Sequence, residues 1–426
     1  MTTRDLQSWL HWMETLHPAE IELGLDRIRQ VYERMQLGSI ANVLITVAGT
    51  NGKGSSVAIL ESIYHSAGYH VGSYTSPHLL RYNERICIDG NMVSDELLCR
   101  SFELVEQARG DVALTYFEFG TLSALQILSD QSLDVAVLEV GLGGRLDAVN
   151  LLDADAALIT SIDIDHRNWL GDDRDTIARE KAGILRSGQV AVCADENAPG
   201  SLLETAAGIP VNLLQATRDF GGSSNDNTWD WWWQDPANPV YRQLPYPAIP
   251  GSAQLLNAAG VLAVIYGLDE RLPVSRQAIE QGLLQVSLPG RFQLQEIANG
   301  VQRVLDVAHN PQSARTLART LSEHAVAGRT LAVFAILADK DIVSVVAEMS
   351  RAVDAWYVAG LHDAGMRGSE AADIAETVAS VTSSPVSTFD SVAEAYQAAL
   401  ADCQAGDRLL VFGSFHTVAQ AMLESV

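Results

Sequence analysis

The chain has 426 residues, 47% of them hydrophobic and 19% charged, which supplies sizeable cores and excludes a disordered protein. Its 53 acidic and 28 basic residues leave a formal charge of −25, a field that repels nucleic acid and anionic lipid. No nucleic-acid partner is expected, and an anionic ligand must be met by a few placed cations and backbone N–H groups. The length predicts two domains. Cys87, Cys99, Cys193 and Cys403 form no CxxC or finger spacing, so neither a disulfide framework nor structural zinc is indicated and a cytoplasmic location fits. The N-terminus lacks a signal-peptide core, and apolar runs such as Leu331 to Ala338 are too short to span a bilayer, so no membrane association is expected.

After a Trp-containing helical lead-in, Val43 to Val47 reads as a buried strand, followed by a glycine-rich turn and a helix from about Gly54 to Ala67. Strands follow near Val71 to Tyr74, Val135 to Val140, Ala156 to Ile162 and Gln189 to Ala194, with helices such as Glu118 to Leu128 between them. This alternation predicts an α/β domain with a mostly parallel, P-loop-type sheet. From Arg218 to Pro250 the texture changes to antiparallel strands and loops at a domain edge, and the WDWWW cluster is expected to serve domain packing. Alternation resumes with strands at Val301 to Val307, Thr330 to Leu337, Ala355 to Ala359 and Arg408 to Phe412, a smaller C-terminal Rossmann-like α/β domain. Pro289 and Gly290 in SLPGRF mark the junction, giving domains 1–288 and 289–426.

The strongest local signal is AGTNGKGS, Ala48 to Ser55, between a buried strand and a helix. Gly49, Gly52 and Gly54 permit close backbone approach, the helix N-terminus presents N–H groups and Lys53 adds a point charge, the elements of a phosphate cradle. The strict GxxxxGK[ST] pattern is not met, and a glycine-rich turn with a surface lysine is the alternative. Glu139 ends an apolar strand at the carboxyl edge, where open α/β sheets bind ligands; it suits magnesium or an ion pair. Arg145, among glycines, suits a phosphate or carboxylate, or solvent. Asp163, Asp165 and His166 at another strand end suit a metal or a hydrogen-bonded loop. Ser76, His78, Arg81 and Arg85 fall in a loop after the second strand.

Together TVAGTNGKGS, TSPHLLRYNERI, TYFEFGTLSA, LEVGLGGRLDAVN, DHRNWLG, IAREKAGI, LPGRF, DVAHNP and GSFHTV closely resemble the bacterial folate ligases of the Mur ligase superfamily, in family order and over nearly the whole chain. Val149 stands where Thr is common, and Val307 where Gly is common. The resemblance implies an ATP-dependent ligase that adds L-glutamate to dihydropteroate, and to reduced folates, through an acyl phosphate. It implies ATP contacts from Thr50, Asn51, Gly52, Lys53, Gly54, Ser55, Asn257, Arg291 and Asp306, with ATP between the domains, which close for reaction. Two magnesium ions fall to Ser76, Glu139 and His166, with a carbamylated Lys181 as an additional anion and K+ as a further cation. Lys53, Lys181 and His166 are the expected catalytic groups. Glu22, Leu23, Gly24, Thr115, Tyr116, Phe117, Glu118, Leu146, Asp147 and Ala148 are implied to hold the pterin substrate, and His309 and Ser414 the glutamate. Read without the resemblance, helix capping is the alternative role of His309 and Ser414. The family implies a cytoplasmic monomer.

Three other functions are weighed. An enzyme limited to polyglutamylating folates uses the same chemistry. A peptidoglycan-precursor Mur ligase carries an extra N-terminal domain, for which the 48 residues before Gly49 are too few. A nucleotide switch is disfavoured by the absence of an NKxD motif and by the second α/β unit.

Overall fold

A computed structural model describes residues 4–19, 21–362 and 367–424. The chain divides into two compact units, Met1–Ala248 with Leu255–Val286, and Ile249–Gln254 with Ser287–Val426. The short segment Ile249–Gln254 joins the second unit because Gly251, at φ +112°, packs directly on Thr320, where a Cβ would lie 2.8 Å from the hydroxyl.

In the first unit, β1 (Ala41–Ala48), β2 (Val71–Tyr74), β3 (Ile86–Ile88), β4 (Asn91–Met92), β5 (Leu133–Glu139), β6 (Ala156–Ile159), β7 (Val190–Cys193) and β8 (Leu213–Gln215) form one sheet. Its order is β4-β3-β2-β5-β1-β6-β7-β8. Strands β2, β5, β1, β6, β7 and β8 run parallel, and β3 and β4 add an antiparallel edge. Residues Val43 to Ala48 are all buried, as expected for a central parallel strand covered on both faces. The helix Tyr116–Ser129 is buried around most of its circumference, which requires its apolar composition, and its Thr115–Glu118 capping box closes the orphan N–H groups at its start. The TSPHLLRYNERI segment is more ordered than a plain loop: its second half is a 3-10 turn, Tyr82–Arg85, leading into β3.

Strands β9 (Phe220–Ser224), β10 (Thr228–Trp233) and β11 (Tyr241–Pro245) make a small antiparallel sheet. Trp229 and Trp231 are its core, and the Trp231 indole donates to the Ala259 carbonyl of the helix Ser252–Gly267 at 3.1 Å. The tryptophan cluster thus packs inside the first unit, because alternate positions of β10 face this helix.

The second unit holds β12 (Gln293–Ile297), β13 (Val301–Leu305), β14 (Thr330–Phe334), β15 (Ala355–Ala359), β16 (Val386–Phe389) and β17 (Arg408–Phe412), in the order β12-β13-β17-β14-β15-β16. All neighbours are parallel except the β12–β13 hairpin. Phe334, Trp356 and Phe412 meet at 4.8 to 5.9 Å and centre its core. The Gly49–Lys53 turn, Ser76 and Glu139 in the first unit, and Asp306, His309 and Ser414 in the second, fall at the carboxyl ends of parallel strands, the edge at which α/β sheets present helix N-termini and loops to ligands. Among the described residues no helix is long and apolar enough to cross a membrane.

Candidate active site

The turn after β1 is built as a cradle. Gly49 has φ +155°, and a Cβ there would sit 1.7 Å from the Thr160 hydroxyl. That hydroxyl donates to the Asn51 carbonyl at 2.8 Å, while the Thr50 N–H donates to the Ser161 carbonyl at 2.6 Å. Strand β6 therefore stops at Ile159 rather than Ile162, since Thr160 and Ser161 turn their polar groups to the cradle. Gly52, at φ +90°, begins the helix Lys53–Ser66 without a side-chain cap, and a Cβ on it would come within 2.5 Å of the Asn257 side-chain oxygen. An uncapped helix start of this kind can receive an anion. Lys53 Nζ donates to the carbonyls of Gly49 and Thr50, both at 3.1 Å, so the ammonium curls over the turn. The Ser56 hydroxyl is buried with no hydrogen-bond partner. Gly49→Ala is expected to lower the calorimetric melting temperature by roughly 5 to 10 °C, because the displaced Thr160 loses bonds that hold the turn.

Glu139, at the end of β5, is buried, and its carboxylate accepts the Ser76 N–H at 3.2 Å. This brings together two of the three residues expected to hold magnesium. His166 has φ +52°, and its N–H donates to the Asp165 carboxylate at 2.8 Å. Lys181 is not a solvated helix lysine: it is 2% exposed, and burial followed by the charge of Lys53 pushes its ammonium down to about 7, against the pull of Asp165 and Asp147. Among the described residues no three His, Cys, Asp or Glu side chains are grouped to hold a metal. One buried acid at a phosphate cradle nevertheless fits magnesium, which keeps several waters and takes one or two carboxylates plus substrate phosphates.

The three segments expected at the pterin are drawn together in the first unit. The Gly24 N–H donates to the Leu146 carbonyl at 3.3 Å. Arg27 pairs with Glu22 and, at 3.2 Å, with Glu118, so one guanidinium ties the first segment to the second. Glu118 also accepts the Thr115 N–H at 2.8 Å. A Cβ on Gly141 would strike the Phe117 ring at 2.5 Å, and Phe117 stacks on Tyr74 at 6.2 Å. Asp147 faces inward instead of lining a surface: its carboxylate accepts the Leu142 and Val149 N–H groups at 2.8 and 2.9 Å, and burial raises its pKa to about 6. Arg145, expected to meet a phosphate or carboxylate, is ion-paired with Glu180 at 2.9 Å. Sequence reasoning does not single out Arg27, and the only signal for it is its position in the helix directly after Glu22 to Gly24.

In the second unit, Asp306 follows β13 and its carboxylate accepts the Phe292 and Ala308 N–H groups, both at 2.8 Å. Burial raises its pKa, opposed first by Arg291, whose guanidinium lies 5.0 Å from the Phe415 ring centroid. His309 Nδ1 meets the Val307 carbonyl at 2.9 Å and is not a cap; Asn310 caps the helix Pro311–Glu323. Ser414 does cap a helix, its hydroxyl accepting the Thr417 N–H at 3.0 Å. His309 and Phe415 are 6.4 Å apart, so the loops after β13 and β17 converge.

Residues 290–415 match the Mur ligase, glutamate ligase domain family. The dihydrofolate synthase/folylpolyglutamate synthase of Escherichia coli K12 is 44% identical over 417 residues, covering 98% of this chain and 94% of that protein. The chain belongs to the dihydrofolate synthase/folylpolyglutamate synthase family. The fold agrees over its whole length. A structure of E. coli FolC in complex with DHPP and ADP has a TM-score of 0.91 at 43% identity, covering 99% of this chain and 97% of that one. A bifunctional folylpolyglutamate synthase/dihydrofolate synthase with Mn, AMPPNP and L-glutamate bound has a TM-score of 0.88 at 45% identity, covering 99% and 98%. As a member of this family the chain is an ATP-dependent acid–amino-acid ligase, and the peptidoglycan-precursor and nucleotide-switch readings fall away. The expected pairing of a mostly parallel first sheet with a smaller C-terminal α/β unit is the family's architecture.

Proposed function

We propose that this folate ligase activates the carboxylate of dihydropteroate, and of reduced folates, with ATP and joins it to the amine of L-glutamate. The observation that carries the reading is the cradle at Gly49 to Lys53, with an uncapped helix start, an ammonium held on two loop carbonyls and a buried acid one strand away. A carboxylate is a poor electrophile until phosphorylation of one oxygen turns it into a mixed anhydride, the acyl phosphate, and bringing two anions together requires cations at the γ-phosphate. Lys53 shifts from the carbonyls of Gly49 and Thr50 to that phosphate. Thr50 to Ser55 supply backbone donors, and Asn257, packed on Gly52, fixes the nucleotide beside them.

Ser76 and Glu139 would hold one divalent cation and His166 a second. Bound magnesium supplies charge neutralisation and orients the phosphoryl oxygens. Lys181 suits carbamylation: its burial favours the neutral amine that attacks CO2, and the resulting carbamate replaces a desolvated cation with an anion able to face a metal. No residue is assigned to K+. In the second unit, Arg291 and Asp306 are proposed as nucleotide contacts. His309 and Ser414, on converging loops, receive the glutamate, with Ser414 capping its helix at the same time. Glu22 to Gly24, Thr115 to Glu118 and Leu146 to Ala148 receive the pterin, Asp147 by shaping the loop. We place the enzyme in the cytoplasm as a monomer, a location consistent with four free cysteines.

ADP release is to be measured with each acceptor, with and without glutamate. The reading expects release to need acceptor and glutamate together, with both dihydropteroate and tetrahydrofolate. Turnover of tetrahydrofolate alone would reduce the enzyme to the polyglutamylating activity, and glutamate-independent release would contradict ligation.

A further inference from the structure

Arg85 is a buried cation without a counter-ion. It ends the 3-10 turn Tyr82–Arg85, is 8% exposed, and its carbonyl accepts the Thr75 N–H at 2.8 Å, which fixes it next to Ser76. Its guanidinium lies 5.0 Å from the Tyr82 ring centroid and 5.7 Å from that of Tyr116. Nε donates to His78 Nδ1 at 2.9 Å, and since a guanidinium only donates, this bond assigns the ring proton of the neutral imidazole to Nε2. The neighbouring acids are engaged elsewhere. Glu84 accepts the N–H groups of Leu79, Leu80 and Arg81 at 2.6 to 2.8 Å. Asp95 takes the Asn83 amide at 2.8 Å and the Arg81 guanidinium at 3.0 Å. Among the described residues no carboxylate pairs with Arg85. In a chain with 53 acidic residues against 28 basic ones, leaving a guanidinium buried and unpaired costs stability that an ordinary surface pair would restore. Such a charge is retained where a ligand brings the anion.

We propose that Arg85, assisted by His78, receives the carboxylate of the acceptor that does not react: the α-carboxylate of the glutamyl residue in a reduced folate. This rests on the ligase reading above, in which the Tyr116 segment receives the acceptor's pterin and Ser76 holds a divalent cation. A guanidinium on the reacting carboxylate would withdraw charge from the oxygen that attacks phosphorus. The α-carboxylate keeps its charge from binding to product, so a fixed cation there strengthens substrate binding without opposing the chemical step. Dihydropteroate has no such group, and Arg85 is therefore a specificity residue for folates that already carry glutamate.

The test compares tetrahydrofolate with tetrahydropteroyl-γ-aminobutyrate, which retains the reacting γ-carboxylate and lacks the α-carboxylate. The wild-type enzyme is expected to favour tetrahydrofolate by about 10 to 100-fold in kcat/KM, carried mainly by KM, the effect of one charge-assisted bidentate contact. In Arg85→Met the preference should fall to within about threefold of unity, and Arg85→Lys should lie between. Without ligand, Arg85→Met should melt no lower than wild type, since it removes a buried unpaired charge and keeps apolar contact with Tyr82. A wild-type preference near unity, or a preference retained in Arg85→Met, overturns the assignment, as does a destabilised variant with equal losses on both substrates. Absence of glutamate-dependent ADP release from wild type on either substrate would instead count against the ligase reading.

Discussion

Lys53→Ala is expected to reduce product formation by about a hundredfold to a thousandfold while the protein melts within about 2 °C of wild type. The loss follows from what the ammonium does. It is the cationic side chain curled over the cradle turn, and removing a preorganised charge from a phosphoryl-transfer site costs on the order of 10² to 10³ in rate even where other donors remain. The fold is spared because Lys53 Nζ bonds only two loop carbonyls, while the turn is held by Thr160, Ser161 and the tight fit at Gly49. Stopped-flow ADP release and calorimetry on the same sample check both halves. Near-normal activity in this variant contradicts the cradle assignment.

The second large effect is at Lys181. Lys181→Ala should lose activity by about a thousandfold, and millimolar acetate or propionate, entering the space the side chain vacates, should restore part of it by supplying the missing carboxylate. A variant that regains nothing while remaining folded, or one that keeps activity, counts against a carbamate. The pH dependence has a defined sign. With an amine value held down to about 7, the neutral fraction that attacks CO2 falls tenfold for each unit below that point and levels off about one unit above it. Reactivation of CO2-depleted enzyme at fixed dissolved CO2 should follow that curve. The same shift acts on stability. An unfolded lysine titrates near about 10.4, so between about 7 and 10.4 the unfolded chain holds the extra proton and stability rises with pH across this window. Below about 7 both states are protonated and the buried cation is at its most unfavourable. CO2-depleted Lys181→Met should therefore melt above CO2-depleted wild type, with the gap widest in that range.

Much of the molecule is legible in its amino acids, for identifiable reasons. Val43 to Val47 and Ala355 to Ala359 are apolar runs bounded by turn residues, and a strand buried on both faces leaves that signature. The tight turn after β1 is legible because its glycines lie in one short stretch: Gly49 and Gly52 each sit where a side chain would collide with a named neighbour. What it packs against is not. Thr160, Ser161 and Asn257 lie more than one hundred residues away, and no local pattern marks a hydroxyl that bonds a distant carbonyl. For that reason the apolar run predicts a strand as far as Ile162, whereas β6 ends at Ile159.

Charge partners are the least legible. Arg145, placed among glycines, promises an open guanidinium, and its exposed pair with Glu180 depends on how the helix Arg174–Ala182 is laid against the loop. Lys181 looks like a solvated helix residue because burial is a property of the packing around it. The same holds for Arg27, whose bond to Glu118 spans 91 residues in sequence. His309 and Ser414 look alike as cap candidates at strand ends; the neighbouring Asn310 takes the cap from His309, and Ser414 keeps its own.

Catalysis by this enzyme depends on the transfer of a phosphoryl group to the acceptor's carboxylate. The most direct measurement of that step uses an acceptor labelled with ¹⁸O in the carboxylate, run to completion with ATP and glutamate, followed by mass analysis of the inorganic phosphate. One labelled oxygen should leave with each phosphate, because the bond broken on amine attack joins the acyl carbon to that oxygen. Phosphate free of label, with amide formed in the normal amount, would contradict the acyl phosphate and with it the roles of the cradle and its cations.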